Sequence, residues 1–91
     1  MELDILRAEI DDVDAEMVRL FEKRMDIAAK IAEYKQKKGC AVKDPEREMR
    51  KLDALRNASR EDLRDYVAEL YLEIFRLSRE HQTRLMERCD G

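Results

Sequence analysis

The sequence predicts an all-α chain of three helices, one long, one short and one of medium length, assembled as an intertwined helical homodimer. Three observations lead there. Of its 91 residues 45% are charged, with only two Gly, one Pro and no Trp, whereas strands favour β-branched and aromatic side chains. Apolar residues recur at helical spacing from Leu3 to Ile31. A chain of this length is expected to form one domain, residues 1–91, with little interior to spare.

The first helix is expected over about 3–38, because nothing interrupts it before Gly39. Stepping 100° per residue, Leu3, Leu6, Ile10, Val13, Met17, Leu20, Ile27, Ala28 and Ile31 share one stripe, predicted to be buried. Asp12, Glu16, Arg19, Glu22, Lys23, Asp26, Lys30, Glu33 and Lys37 fall opposite, as a solvated face. Asp44-Pro45 reads as a cap followed by proline at the first helical position, which starts a short helix over about 44–56. Ser59, with Asp62 three residues on, offers a capping box for a third helix over about 59–88. Its apolar arc holds Leu63, Val67, Leu70, Tyr71, Ile74, Phe75, Leu77 and Leu85, which read as core.

A helix of roughly 36 residues is about 54 Å long, while a compact monomer of this size has a radius of gyration near 12 Å. The two later helices cannot cover such a stripe, so a homodimer with the long helices packed together is the economical solution.

The formal charge of −3, spread over 19 basic and 22 acidic residues with no single-sign block, argues against a nucleic-acid or membrane-surface partner and for a small one. Cys40 and Cys89 form no CxxC pair and read as reduced thiols. Met1-Glu2-Leu3-Asp4 lacks the basic start of a signal peptide, and no segment approaches membrane-spanning length, so the chain is expected to be soluble and cytoplasmic.

Polar residues on apolar faces carry the functional signal. Arg24 and Lys35 project at nearly the angle of Met17 and Ile31, with Cα atoms about 16 Å apart. Each alone can snorkel or pair with a buried carboxylate; together they can hold a small anion. Arg7 sits near the edge of the same face but about 25 Å away. It is either an ordinary surface residue or, in an antiparallel dimer, one lent to the partner's site. Glu48 shares a face with Leu52 and Leu55, where it forms an ion pair with Arg24 or Lys35 or accepts from a ligand hydroxyl. Asp44 is a cap that also brings free backbone N–H groups to the same region. Ser78 and Gln82 interrupt the third helix's arc, either satisfied locally or facing a ligand. His81, near the centre of that arc, is taken as packed or interfacial.

Leu6-Arg7-Ala8-Glu9-Ile10-Asp11 with Val13-Asp14, then Lys23-Arg24, Lys35, Val42-Lys43-Asp44-Pro45-Glu46-Arg47-Glu48, and finally Ser78 with Gln82 form an ordered set that resembles the all-helical class of chorismate mutase across essentially the whole chain. The resemblance implies a dimer converting chorismate to prephenate, in aromatic amino-acid biosynthesis, with neither cofactor nor metal. It implies that Arg24 and the partner's Arg7 clamp the substrate carboxylates, with Ser78 adding a contact. Lys35 and Gln82 would donate to the ether oxygen as catalytic groups, and Glu48 and the Asp44 region would hold the ring hydroxyl. Arg47 belongs to the binding set with a less defined role, since its angle on the second helix points away from Glu48.

Two other readings remain. An isochorismate pyruvate lyase resembles this family in fold and uses a similar cationic clamp, but the inward Glu48 favours the mutase form. A dimeric helical interaction module would explain the long amphipathic helix and leave the inward polar set unexplained.

Overall fold

A computed structural model of the chain describes residues 1–39 and 43–90, without the side chains of 88–90. Cys40, Val42 and the Cys89 thiol therefore lie outside the described residues. Three α-helices follow in order, α1 (Glu2–Lys37), α2 (Pro45–Ala58) and α3 (Arg64–Asp90), with a 3-10 turn at Glu61–Leu63 before α3 and no strand among the described residues.

α1 runs unbroken for 36 residues, with Glu2 and Asp4 in its first turn and Lys35 and Lys37 in its last, each sign matched to the helix dipole. It stops at Gly39, whose φ of +70° is the left-handed conformation that favours glycine. There the Gly39 N–H donates to the Gln36 carbonyl at 3.1 Å. α2 begins as the sequence predicts: the Asp44 carboxylate accepts from the Arg47 backbone N–H at 3.1 Å, and Pro45 occupies the first turn.

The expected capping box at Ser59 does not form. The Ser59 hydroxyl donates back to the Leu55 carbonyl at 2.5 Å, and Ser59 is the extended residue that closes α2 at Ala58. A serine hydroxyl can serve either terminus, and here one turn of preceding helix offers it a carbonyl. The chain then reverses through Arg60, whose guanidinium bonds Asp62 at 2.7 Å, so α3 begins at Arg64 rather than near residue 59.

α3 lies between the other two. Arg24 bonds Ser78 and Ala28 bonds Gln82, so α1 and α3 advance together and are parallel. Glu48 pairs with Arg79 and Arg56 with Asp65, so α2 runs antiparallel to α3. Ala28 and Ala32 of α1 and Ala68 and Phe75 of α3 form the buried core. Alanines at the α1–α3 contact let the backbones approach closely enough for Gln82 to reach a carbonyl of the neighbouring helix. Charged pairs such as Arg19–Glu16 at 2.9 Å and Lys37–Glu33 at 3.3 Å lie on exposed faces. On the outer face of α3, the hydrogen bond from Arg76 holds the Glu73 carboxyl below its ordinary value.

The single chain leaves most of the α1 stripe open, in keeping with a helix too long for the two later helices to cover. Of its members only Ala28 is buried; Leu3, Leu6, Ile10, Val13, Met17, Leu20, Ile27 and Ile31 are exposed, Ile10 at 62% and Met17 at 52%. The cause is reach: the radius of gyration is 16.6 Å and the long dimension 56 Å, and among the described residues the side-chain hydrogen bonds from α1 to α3 begin at Arg24. Among the described residues, the first twenty are all exposed.

Candidate active site

Where the C-terminal half of α1, the start of α2 and the middle of α3 converge, they enclose a cleft of about 270 Å³. α1 contributes Arg24, Ile27, Ala28, Ile31 and Lys35; α2 contributes its cap Asp44 with Arg47, Glu48 and Lys51; α3 contributes Phe75, Ser78, Arg79 and Gln82. Seven of the eight residues expected from sequence line this one space. The eighth, Arg7, is exposed and stands about 25 Å along α1 from Arg24, so one chain does not bring it to the cleft.

Arg24, Ser78, Glu48, Arg79 and Gln82 are held by specific contacts. The Arg24 guanidinium donates to the Ser78 hydroxyl at 3.1 Å and stands 5.8 and 5.6 Å from the ring centroids of Tyr71 and Phe75. The two rings meet edge to face at 5.9 Å, a packing that limits the rotamers available to the arginine. A guanidinium carries five N–H groups, so one bond to Ser78 leaves donors for a ligand. Ser78, 7% exposed, also lies 3.6 Å from the Met25 sulfur.

Gln82, 8% exposed, donates through Nε2 to the Ala28 carbonyl at 2.7 Å. Only the nitrogen of an amide can donate to a carbonyl, so this contact fixes which way the amide faces. The second hydrogen on Nε2 remains available to the cleft it lines. The local reading of Gln82 as a satisfied core amide and its reading as a site residue are thus compatible. Lys35 is half-buried in the wall beyond Ile31.

Glu48 takes its ion pair from an unexpected direction. Arg24 is turned to Ser78, and Arg79 Nη1 meets both Glu48 oxygens at 2.5 and 2.7 Å. Arg79 was legible in principle, standing one turn after Phe75 and three residues before Gln82 on the arc already assigned to the interior. A charged residue beside Ser78 reads as surface unless a facing carboxylate is considered with it. Lys51 was missed for the same reason, one turn after Arg47 on a helix with no buried residue of its own. Arg47 is itself exposed but contributes to the lining, despite an angle that points away from Glu48.

The electrostatics select the ligand class. Five cationic residues and two anionic ones surround the cleft, in a chain whose overall charge is −3. The local sign is opposite to the global one, and partial burial against Phe75, Ile27 and Ile31 weakens solvent screening. A small, multiply charged anion fits this arrangement of charge.

Compared with known families, residues 6–83 match the one described as chorismate mutase type II. The chain belongs to the chorismate mutase type II family. The match takes in all of α2, most of α1 and α3, and every residue lining the cleft. The domain is accordingly of the chorismate mutase class, a class of isomerases.

Two relatives of the family are similar. A chorismate mutase of Methanocaldococcus jannaschii is 30% identical over 82 residues, 90% of this chain and 81% of that protein. The T-protein of Haemophilus influenzae is 39% identical over 51 residues, 56% of this chain but only 14% of that much longer protein. No solved structure matches the chain. Among the described residues no helix is long and apolar enough to cross a membrane, and no group of His, Cys, Asp and Glu is arranged to hold a metal ion.

Proposed function

We propose that the whole protein isomerises chorismate to prephenate in this cleft, completed by a second copy of the chain, in the cytoplasm. The observation that carries the reading is the reversal of charge: a net-cationic cleft in an acidic chain, with Arg24 braced by Ser78 and an oriented Gln82 amide on the same wall. Chorismate is a dianion with two carboxylates, a ring hydroxyl and an ether oxygen, so it needs cationic clamps, an acceptor and a donor to the ether.

Arg24 pairs with one substrate carboxylate, its planar fork matching the two oxygens, and Ser78 supports it. Glu48, with the N-terminus of α2 at Asp44 and Arg47, receives the ring hydroxyl. Lys35 and Gln82 donate to the ether oxygen. That oxygen gains negative charge as its bond to the ring stretches and the new carbon–carbon bond forms, so donors placed there favour the transition state over the substrate. The electrons move in one cycle and no proton changes hands, which leaves the protein to restrict the substrate and stabilise charge. A millionfold acceleration is about 8 kcal/mol, within reach of positioning and two charge-matched donors.

Arg7 completes the clamp from a second protomer. The exposed half of α1 supports this, since an antiparallel partner helix would cover Leu6, Ile10, Val13 and Met17 while laying its own Arg7 beside Arg24. The cleft itself, at about 270 Å³, is slightly below the roughly 300 Å³ at which small-molecule pockets begin.

The deciding experiment is incubation of the purified protein with chorismate and, separately, isochorismate. Prephenate from chorismate is the expected result. Salicylate and pyruvate from isochorismate would instead make it a lyase. Inertness toward both, with no thermal stabilisation by a bicyclic diacid that mimics the transition state, would make it a binding module.

A further inference from the structure

The Arg79–Glu48 pair is unlike the other ion pairs described in this chain. Most of the others join neighbours on one exposed helix face or turn, such as Arg19–Glu16 and Arg84–Glu80. Arg79–Glu48 instead links α3 to α2 across 31 positions of sequence, with side chains only 34% and 29% exposed, and both residues line the cleft. One guanidinium nitrogen bonds both carboxylate oxygens, at 2.5 and 2.7 Å.

We infer that Arg79 is a positioning residue, which fixes the Glu48 carboxylate at the mouth of α2 so that its remaining lone pairs meet the ligand hydroxyl. This rests on the proposed chorismate reaction. A carboxylate offers about four acceptor sites, and Arg79 occupies one on each oxygen. The carboxylate is thereby oriented while half its capacity stays open. Without Arg79, Glu48 stands on a helix with no buried residue, where its three side-chain torsions are free to carry it into water or onto the Arg24 guanidinium. The second outcome is the more damaging, because it would neutralise the cation that the substrate carboxylate needs. Arg79 thus acts twice: it presents the acceptor, and it keeps acid and clamp apart within one small space.

The test is a double-mutant cycle on the full chain, read as kcat and KM for prephenate formation together with Tm. Arg79→Met is expected to lower kcat/KM by about 10- to 100-fold, the cost known for removing partners that orient metal ligands. Arg79→Lys, which keeps a charge within reach of Glu48, is expected to recover most of that loss. In a Glu48→Gln background the same Arg79→Met change should cost less than about threefold, since partners that act as one unit are not additive.

Equal losses in both backgrounds, appearing in KM, would mean that Arg79 contacts substrate directly and would overturn the assignment. So would an Arg79→Met protein that keeps its kcat/KM, or one in which Tm falls and Arg79→Lys restores Tm without activity. A wild-type protein that forms no prephenate overturns the proposed reaction, and this inference with it. Active wild type with additive variants overturns this inference alone.

Discussion

The Gln82 side chain of α3 donates to the main-chain carbonyl of Ala28 on α1, at 2.7 Å, from a position 8% exposed. The contact joins two helices and fixes the amide's orientation. It also makes the proposed donor part of the protein's packing, which is testable through pH.

Wild-type activity is expected to persist through neutral pH, because an amide does not titrate. Gln82→Glu should behave oppositely. A carboxyl group there can donate to Ala28 or to an ether oxygen only when protonated, and burial beside a carbonyl raises its pKa above the ordinary value near 4.3. Its folded form then holds the proton more tightly than its unfolded form, so stability is greatest below about pH 4 and declines as pH rises to the folded pKa. Profiles of kcat and Tm against pH should fall together for the variant. A wild-type rate that collapsed between pH 5 and 7 would remove Gln82 from the reaction.

Arg24→Lys is expected to be a poor replacement. Lysine keeps the charge but loses the planar fork and the fit between Tyr71, Phe75 and Ser78. A hydrogen bond to a charged group is worth about 1.5–3 kcal/mol, which corresponds to a loss of about 10- to 150-fold in kcat/KM. Steady-state kinetics with chorismate check this, and full activity in the lysine variant would make charge alone sufficient.

The shared site has its own signature. Arg7→Ala and Arg24→Ala chains are each expected to be inactive as homodimers. Mixed at random, half of the dimers are hybrid, and each hybrid regains one intact site of two, so about a quarter of wild-type activity should return. Hybrids verified by mass that remain inactive would place Arg7 outside the partner's cleft.

Asp44 combines two roles that two substitutions separate. Asp44→Ala removes the acceptor for the Arg47 N–H and should cost about 1 kcal/mol of stability, a fall in Tm of roughly 4–8 °C. Asp44→Asn caps equally well and should leave Tm within a degree or two. Any activity lost in the asparagine variant then belongs to the charge beside the ligand, and a variant that keeps both would limit Asp44 to capping.

Local chemistry determined much of this protein from its sequence. Helical periodicity, the Asp44-Pro45 start and the Gly39 stop settle the helices, because each depends on neighbours a few residues away. Polar residues on apolar faces marked Arg24, Lys35, Glu48, Ser78 and Gln82, since a misplaced charge is costly whatever the fold. Tertiary structure decided what locality could not. Ser59 turned back to Leu55 rather than capping the next helix, because both outcomes are locally sound. Ala28 and Ala32 became the core while larger residues of the stripe stayed exposed, because only part of α1 lies against α3. The pairing of Glu48 with Arg79 arose only when two antiparallel helices set them side by side: periodicity tells which way a side chain points and not which side chain it meets.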